Sequence, residues 1–293
     1  MKLKTFLLSI IFMMIFSCAK ESETNMVVAQ EEEMEDEGTV LPPVELQLIG
    51  VLTERLIAKK EESYTFANEQ LISLNDKTAT YENNLLSQLE QQDQTESFEY
   101  DGQGRLTRYL DDQGGDFFTR NITYQGNEIR MIQQLITPFE VETTRVTFFM
   151  DDAKRVVKEE YTNQYNEVFT AELSYDEAGN LEEAVGVANV SAFQFSYNEN
   201  EVSSSYQFLK SLFGIHWKNN ALIYKGRVIS MIGDRWFIEL ANRYPTETKV
   251  IFEGGFVLTK TFTYEFHNDG NVLLRNEFND DGKLDTRTTY EFE

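Results

Sequence analysis

Few residues in this chain could carry catalytic or metal chemistry. Cys18 is the only cysteine, and His216 and His267 are the only histidines among 293 residues. Thiol catalysis and zinc binding need such residues close to a second ligand or a base, and none of the three has such a neighbour in the sequence. The 50 acidic residues leave chance carboxylate pairs open. The sequence therefore predicts a protein that is not an enzyme, with no catalytic residue, no metal site and no cofactor.

The single cysteine follows a short apolar segment. An uncharged run from Phe6 to Phe16 follows Lys2 and Lys4, and it is too short to cross a bilayer as a helix but typical of a signal peptide. Ile15-Phe-Ser-Cys18 resembles a bacterial lipobox, whose cysteine is diacylated; the alternative is an ordinary signal with a chance cysteine. We therefore expect a signal peptide over 1–17, lipid attachment at Cys18 and an outer-membrane lipoprotein whose partner is the membrane.

An acidic segment follows the cysteine. Ala19-Lys-Glu21 resembles the signal that routes some Gram-negative lipoproteins to the cell surface, although it also fits the start of an acidic linker. Residues 31–33 are all Glu, and such a run repels itself and buries no core. We expect a disordered tether over 18–43, ending at Pro42-Pro43, with an acidic docking arm as the alternative, and one domain over 44–293.

A turn motif recurs through this domain in two lengths. The longer form consists of an aromatic residue, a turn that closes on Gly, and an aliphatic residue, as in Tyr100 to Leu106. The Gly suits the positive φ that ends a three-residue hairpin loop. The shorter form places Asn or Gly in a two-residue loop, where a type I′ turn demands positive φ. The predicted turn residues are Gly104, Gly179, Gly270, Gly282, Asn84, Asn127 and Asn220, with Lys154 in a degraded copy and Glu199-Asn200 in a further short loop.

The residues before each aromatic alternate between apolar and polar. Phe98, Ile122 and Leu173 lie two positions before the aromatic, each followed by a polar residue. This alternation indicates an antiparallel sheet with one buried face. We predict an all-β fold, a large antiparallel meander of repeated β-hairpins curled into a barrel or barrel-like sandwich, without confident amphipathic helices. Residues 48–60 fit a strand or a helix, and residues 224–250 are irregular.

The motif also carries a resemblance. Tyr100-Asp-Gly-Gln-Gly-Arg-Leu-Thr107 resembles the YD (RHS-type) repeat, and with the lipobox the chain is similar to uncharacterised Gram-negative lipoproteins with a porin-like all-β domain. The resemblance implies a surface-associated β-repeat protein of unknown ligand, and it brings no catalytic residues. Asn279-Asp-Asp-Gly282 resembles an acidic calcium loop, but the same residues suit a hairpin turn, which we favour.

Charge and aromatic content bound the function. A net charge of −24 argues against binding to nucleic acid or to anionic lipid. Two classes stay open: a binding, adhesion or scaffold module for a glycan or protein ligand, and a calyx-like barrel holding an apolar small ligand. In the first, Trp217, Trp236 and Phe237 would contact the ligand, unless they belong to the core. We expect a monomer, and the anchor and the acidic tether argue against a transmembrane barrel.

Overall fold

The computed structural model describes residues 48–55, 58–67, 70–186, 190–202, 212–233, 241, 243–268 and 271–292. Strands dominate this part of the chain, and they belong to a single 18-stranded sheet. The strands are β1 (Leu48–Arg55), β2 (Ala58–Ala67), β3 (Gln70–Leu74), β4 (Lys77–Glu82), β5 (Leu85–Gln91), β6 (Gln94–Tyr100), β7 (Leu106–Asp112), β8 (Phe117–Gln125), β9 (Glu128–Ile136), β10 (Val141–Met150), β11 (Val156–Thr162), β12 (Val168–Tyr175), β13 (Leu181–Val185), β14 (Val190–Val202), β15 (Arg243–Phe252), β16 (Val257–Phe266), β17 (Val272–Phe278) and β18 (Leu284–Phe292). The helices are α1 (Trp217–Lys225) and α2 (Val228–Gly233), preceded by a 3₁₀ turn at Gly214–His216.

Each strand pairs in antiparallel fashion with the next one along the chain. β1 also pairs with β18, from Leu48 opposite Phe292 to Arg55 opposite Thr286. The meander therefore returns to its first strand, which gives the sheet a barrel-like form. The predicted all-β antiparallel meander is confirmed. In the segment 48–60, which fitted either a helix or a strand, residues 48–55 and 58–60 are strand.

Successive turns lie at opposite ends of the sheet because every connection reverses the strand direction. We call the end where β1 begins at Leu48 the entry end, and the opposite end the far end. The described turns at the entry end are 83–84, 101–105, 126–127, 151–155 and 176–180, together with residues 267, 268 and 271 of the turn before β17. Those at the far end are 75–76, 92–93, 113–116, 137–140, 163–167, 253–256 and 279–283.

The two faces of the sheet differ in polarity. Phe98, Ile129 and Phe148 lie on the inner face and are buried, whereas Arg108 and Asn121 point outward and are exposed. Alternation of this kind gives an antiparallel sheet one apolar and one wet face. The aromatic residues of the repeat thus belong to the interior, as the alternation predicted.

Residues 212–233 cover part of the inner face, and this corrects the expectation of a domain without helices. Phe213, Leu222 and Ile223 belong to the same buried cluster as the inward strand residues. α1 ends at Gly226, whose φ of 80 forms a left-handed C-cap. The sequence Trp217-Lys-Asn-Asn resembles a short hairpin, but burial of the following apolar residues favours a helix here. Asn220 is therefore a buried helical residue, and its assignment to a turn was wrong.

A second predicted hairpin is also absent from the described chain. β14 runs through the expected loop at 199–200 without reversing. It pairs with β15, and the register shifts between Tyr197, opposite Pro245, and Val202, opposite Arg243. The extra residues on β14 are accommodated as an irregularity in the ladder, so the polar loop-like sequence marks a bulge and not a turn.

The remaining turns show which positions need positive φ. Gly104, Gly179 and Gly282 have φ of 79, 80 and 71, and Asn84 has φ of 62. Asn127 lies in a turn as predicted. In this turn it is Gly126, with φ of 61, that takes the positive value, so only the expected type I′ geometry was wrong. Gly270 lies outside the described residues. Lys154, in the degraded copy, has φ of 63 where the better copies have Gly.

Two single substitutions at equivalent turn positions, one that introduces Gly and one that removes it, should change the free energy of unfolding in opposite directions. A side chain at positive φ costs about 1–2 kcal/mol, so Lys154→Gly should raise the free energy of unfolding and Gly282→Ala should lower it by about that amount. An added Cβ at Gly282 meets nothing within 4 Å, so this substitution tests the backbone alone. Urea denaturation of both variants is the measurement. Shifts of the same sign would contradict the turn geometry.

Candidate functional site

In four described copies of the repeat, a tyrosine ties its hairpin to an earlier one. The hydroxyl of Tyr124 donates to the carbonyl oxygen of Leu106 at 2.9 Å, and that of Tyr175 donates to Val156 at 2.7 Å. The same contact links Tyr197 to Leu181 at 2.7 Å and Tyr264 to Pro245 at 2.8 Å. In three of these contacts the acceptor is the residue that begins a strand after the preceding entry-end turn. The aromatic position of the repeat is therefore structural.

The polar residues of the same turns complete this arrangement. Asp101 accepts hydrogen bonds from the backbone N–H groups of Gln103 and Arg105 and pairs with the Arg105 guanidinium, which lies 4.3 Å from the centre of the Tyr124 ring. Burial would raise the pKa of Asp101, but its hydrogen bonds with Arg105 outweigh burial and hold that pKa below its usual range. Asp151, Arg155 and Tyr175 repeat the pattern. The charged groups of these aspartates and arginines are thus paired with each other within their own turns.

A buried polar cluster joins the helical segment to β4, β6 and β7. Glu96 is 4% exposed and accepts hydrogen bonds from the hydroxyls of Tyr109 and Tyr224, each at 2.9 Å. Lys77 pairs with the same carboxylate at 2.5 Å. Burial, with the neighbouring phenol and Glu96, raises the pKa of both tyrosines well above the usual range. The phenols consequently stay protonated and serve as donors to Glu96.

Two further inner-face residues hold the helical backbone. Arg120 donates to the carbonyl oxygen of Tyr224 at 2.5 Å, and Gln133 donates to that of Gly226 at 3.0 Å. Burial lowers the pKa of Arg120 to about 10, so it still carries its charge near neutral pH. Both carbonyls lie at the C-terminal end of α1, where backbone oxygens lack helical partners. The sheet therefore supplies the cap of this helix.

Glu159 forms the most buried ionic contact of the helical segment. Its carboxylate is bound by Nε of Arg227 at 2.8 Å and by the backbone N–H of Val228 at 2.6 Å, at the start of α2. The Arg227 guanidinium also lies 3.6 Å from the centre of the Tyr161 ring. A carboxylate on β11 thus fixes the link between α1 and α2.

Asn220 ties α1 to the turn before β7. Its side-chain oxygen accepts from the N–H of Leu106 at 2.9 Å, and its Nδ2 donates to the carbonyl oxygens of Gly104 and Phe213 at 3.1 and 3.0 Å. The side chain therefore binds the backbone of the best-formed repeat.

Another polar group lies on the inner face of β16, β17 and β18. Lys260 lies 2.5 Å from Asp285 and 4.0 Å from the buried Glu277. Arg275 lies 3.6 Å from Glu277 and donates to the hydroxyl of Thr288 at 3.3 Å. Two cationic side chains, Lys260 and Arg275, thus lie within ion-pair distance of the buried Glu277 carboxylate.

Exposed apolar side chains concentrate at the far end, on neighbouring strands. Phe139 is 95% exposed at the tip of the β9–β10 turn, and Tyr165 is 68% exposed at the tip of the β11–β12 turn. With their exposed neighbours on the same strand ends they form what we call the apolar rim. The apolar rim consists of Phe117, Leu135, Phe139, Val141, Tyr165, Val168, Phe169 and Val185.

Of the residues named as ligand contacts from the sequence, Trp217 does not belong to this surface. Trp217 is partly buried and packs against the core at the start of α1, which matches the core alternative for the aromatics. Trp236 and Phe237 lie outside the described residues, as does Cys18. Sequence reasoning missed the apolar rim because its members lie beside far-end turns. A single apolar residue beside a turn is not a signal of a binding surface. Thr137-Pro-Phe139, with a large aromatic at a turn tip, is the one signal that could have found it.

The described residues add two further findings about possible sites. Within them, no group of three or more His, Cys, Asp and Glu side chains is placed to hold a metal ion. None of their helices has the length and apolar character needed to cross a bilayer.

Comparison with known proteins identifies a fold. No family model and no curated protein sequence matches the chain. A solved porin-like protein from Bacteroides vulgatus is similar in structure, with a TM-score of 0.50, 10% identity, and coverage of 84% of this chain and 98% of that one. A porin-like protein from Bacteroides uniformis covers 84% and 96% at 14% identity, with a TM-score of 0.35. At 10% identity the first likeness concerns the fold alone, which is that of a porin-like all-β domain.

Proposed function

We propose that this protein is a lipid-anchored, non-catalytic binding module of the outer membrane, and that the apolar rim is its binding surface. The observation that carries the proposal is the concentration of exposed apolar side chains at one end of the sheet. Apolar patches of this kind on a folded domain mark interaction sites more often than chance exposure. The polar outer face of the strands and the signal sequence before Cys18 are consistent with a domain displayed from a membrane.

The direction of the chain supports this assignment. β1 begins at Leu48 at the entry end, whereas the apolar rim lies at the far end. Cys18 precedes β1 in the sequence, and β1 contributes no residue to the apolar rim. The proposed lipid anchor and the proposed binding surface thus use different parts of the chain.

The interior favours this reading over a calyx. Phe98 packs on Phe213 and Tyr224 with ring centres 6.3 and 5.7 Å apart, so the helical segment occupies space beside the inner aromatics. Glu96 and Glu159 accept hydrogen bonds from this segment, and its own Asn220 accepts one from the N–H of Leu106, so the sheet holds it in place. An apolar ligand at this part of the inner face would have to displace these contacts, whereas a partner at the apolar rim displaces none.

One experiment with two readouts tests the proposal. The full-length chain and its Cys18→Ala variant are expressed with labelled palmitate and applied to glycan and peptide arrays. We expect label in the first protein alone and array binding by both, since Cys18 is not part of the apolar rim. Binding should be lost in Phe139→Ser/Tyr165→Ser and kept in Ile215→Ser, which alters an exposed apolar residue outside the apolar rim. Equal label in both proteins would contradict the lipid anchor at Cys18. Equal array binding by the unaltered chain and Phe139→Ser/Tyr165→Ser would contradict the apolar rim as the binding surface.

A further inference from the structure

We propose that the apolar rim binds a basic, apolar polypeptide segment. This inference rests on the proposed function and adds the chemistry of the partner. It follows from three properties of the rim: its rigid turns, its charge and its mixture of aliphatic and aromatic side chains.

Hydrogen bonds within the turns fix the two most exposed aromatics. The Thr137 hydroxyl accepts from the backbone N–H groups of Phe139 and Glu140. The Asn163 side chain accepts from the N–H groups of Tyr165 and Glu167 and donates to the Glu167 carboxylate at 2.7 Å. Tips held in this way lose little conformational freedom when a partner binds, which favours affinity.

The two turns also lie side by side. Nε2 of Gln164 donates to the carboxylate of Glu142 at 3.5 Å, which links the tip of the β11–β12 turn to the start of β10. The apolar rim extends from β8 to β13, and neighbouring strands lie about 4.8 Å apart, so it is roughly 24 Å long. An extended polypeptide covers that length with about seven residues.

Charge selects the partner. Four acidic residues lie within 113–117, 135–142, 163–169 and 185–186, the ranges that carry the apolar rim: Asp116, Glu140, Glu142 and Glu167. No Lys or Arg occurs in these ranges, and Arg145, opposite Thr162 at the end of β11, is outnumbered by the four carboxylates. Carboxylates around an apolar surface attract a cationic partner and repel an anionic one. Anionic lipid and nucleic acid are therefore disfavoured, and a segment that alternates basic and apolar residues fits.

The side-chain types favour a polypeptide over a glycan. Val141, Val168 and Leu135 contribute aliphatic surface between the aromatics, and aliphatic groups offer no flat ring face to a sugar. Apolar side chains of a peptide can pack against them while its basic groups reach Glu140 and Glu167.

The test uses three synthetic peptides that alternate Leu and Phe with Lys, Gln or Glu. Binding of each labelled peptide to the mature chain from residue 18, carrying Cys18→Ala, is measured by fluorescence anisotropy at low and high salt. We expect the Lys peptide to bind most tightly. Its affinity should fall about tenfold or more in Phe139→Ser/Tyr165→Ser, as is usual when central anchor residues are removed. It should also fall in Glu140→Gln/Glu167→Gln, which keeps the size and hydrogen-bonding oxygen of both side chains.

The controls separate the two proposals. Ile215→Ser should bind the Lys peptide as the unaltered chain does. Equal binding of the Lys peptide to every variant would place it on the acidic tether and overturn the inference. Equal affinity for the Lys and Gln peptides, with both lost in the aromatic variant, would overturn the basic partner while the proposed function stands. Rim-dependent binding to glycans without binding to any peptide would likewise overturn the basic polypeptide partner while the proposed function stands.

Discussion

Glu159→Ala should lower the free energy of unfolding by about 3–5 kcal/mol, the usual cost of removing one partner of a buried ion pair. The Glu159 side chain is 2% exposed, and its partner Arg227 is 24% exposed. Without the carboxylate, the N–H of Val228 and the Arg227 guanidinium both lose their acceptor. Water cannot replace it at so buried a site without opening the contact between β11 and the helices. Urea denaturation followed by circular dichroism measures the change.

The neighbouring residue provides the matched control. Glu160 points to the other face of β11 and pairs with Lys158 at 2.7 Å, with both side chains more than a third exposed. Exposed pairs contribute about 0–1 kcal/mol, so Glu160→Ala should change stability little. If the two alanine variants unfolded at the same urea concentration, Glu159 would not hold the helical segment to the sheet.

The parts of the fold that local physics decides were predictable from the sequence. Gly104 and Gly179 marked turns because a positive φ strongly favours glycine, and the turn fixes which residues face each other across the hairpin. Phe98 and Ile122 marked the buried face because alternation in a strand has a period of two. Both signals depend on a few consecutive residues, so they need no knowledge of the rest of the chain.

The helical segment could not be predicted in the same way. Its Asn219-Asn220 pair carries a turn signal, and the apolar residues after it are too few to define a helical stripe. What makes the segment helical is its burial against strands more than a hundred residues earlier in the chain, as the bond from the N–H of Leu106 to the Asn220 side chain shows. The inward carboxylates Glu96 and Glu159 were equally hard to interpret, because each has a partner in this segment. An acidic residue at an inward position of the alternation was the only local sign of them.

The apolar rim illustrates a different limit. Its members are scattered from Phe117 to Val185 in the sequence, and they come together because a meander returns every second turn to the same end. The spacing of turns contained that information once strand boundaries were known. The register of each hairpin, which sets how far Phe139 and Tyr165 project, became visible only in the structure.

Asn220→Ala should lower the free energy of unfolding by about 2–4 kcal/mol, because it leaves three backbone groups without their partner at about 1 kcal/mol or more each. Those groups are the N–H of Leu106 and the carbonyl oxygen of Phe213, whose bonds to Asn220 are buried, and the carbonyl oxygen of Gly104, whose bond is half-buried. Asn219→Ala is the control: it removes the same side chain from the adjacent position of α1, where the half-buried amide makes one long hydrogen bond, 3.7 Å to the sulfur of Met150. That variant should lower the free energy of unfolding by no more than about 1 kcal/mol. Hydrogen exchange gives a second measure, since loss of the Asn220 contact should speed exchange at the Leu106 amide in particular. Unchanged exchange at Leu106 and equal stability of the two variants would mean that Asn220 does not hold α1 to the turn before β7.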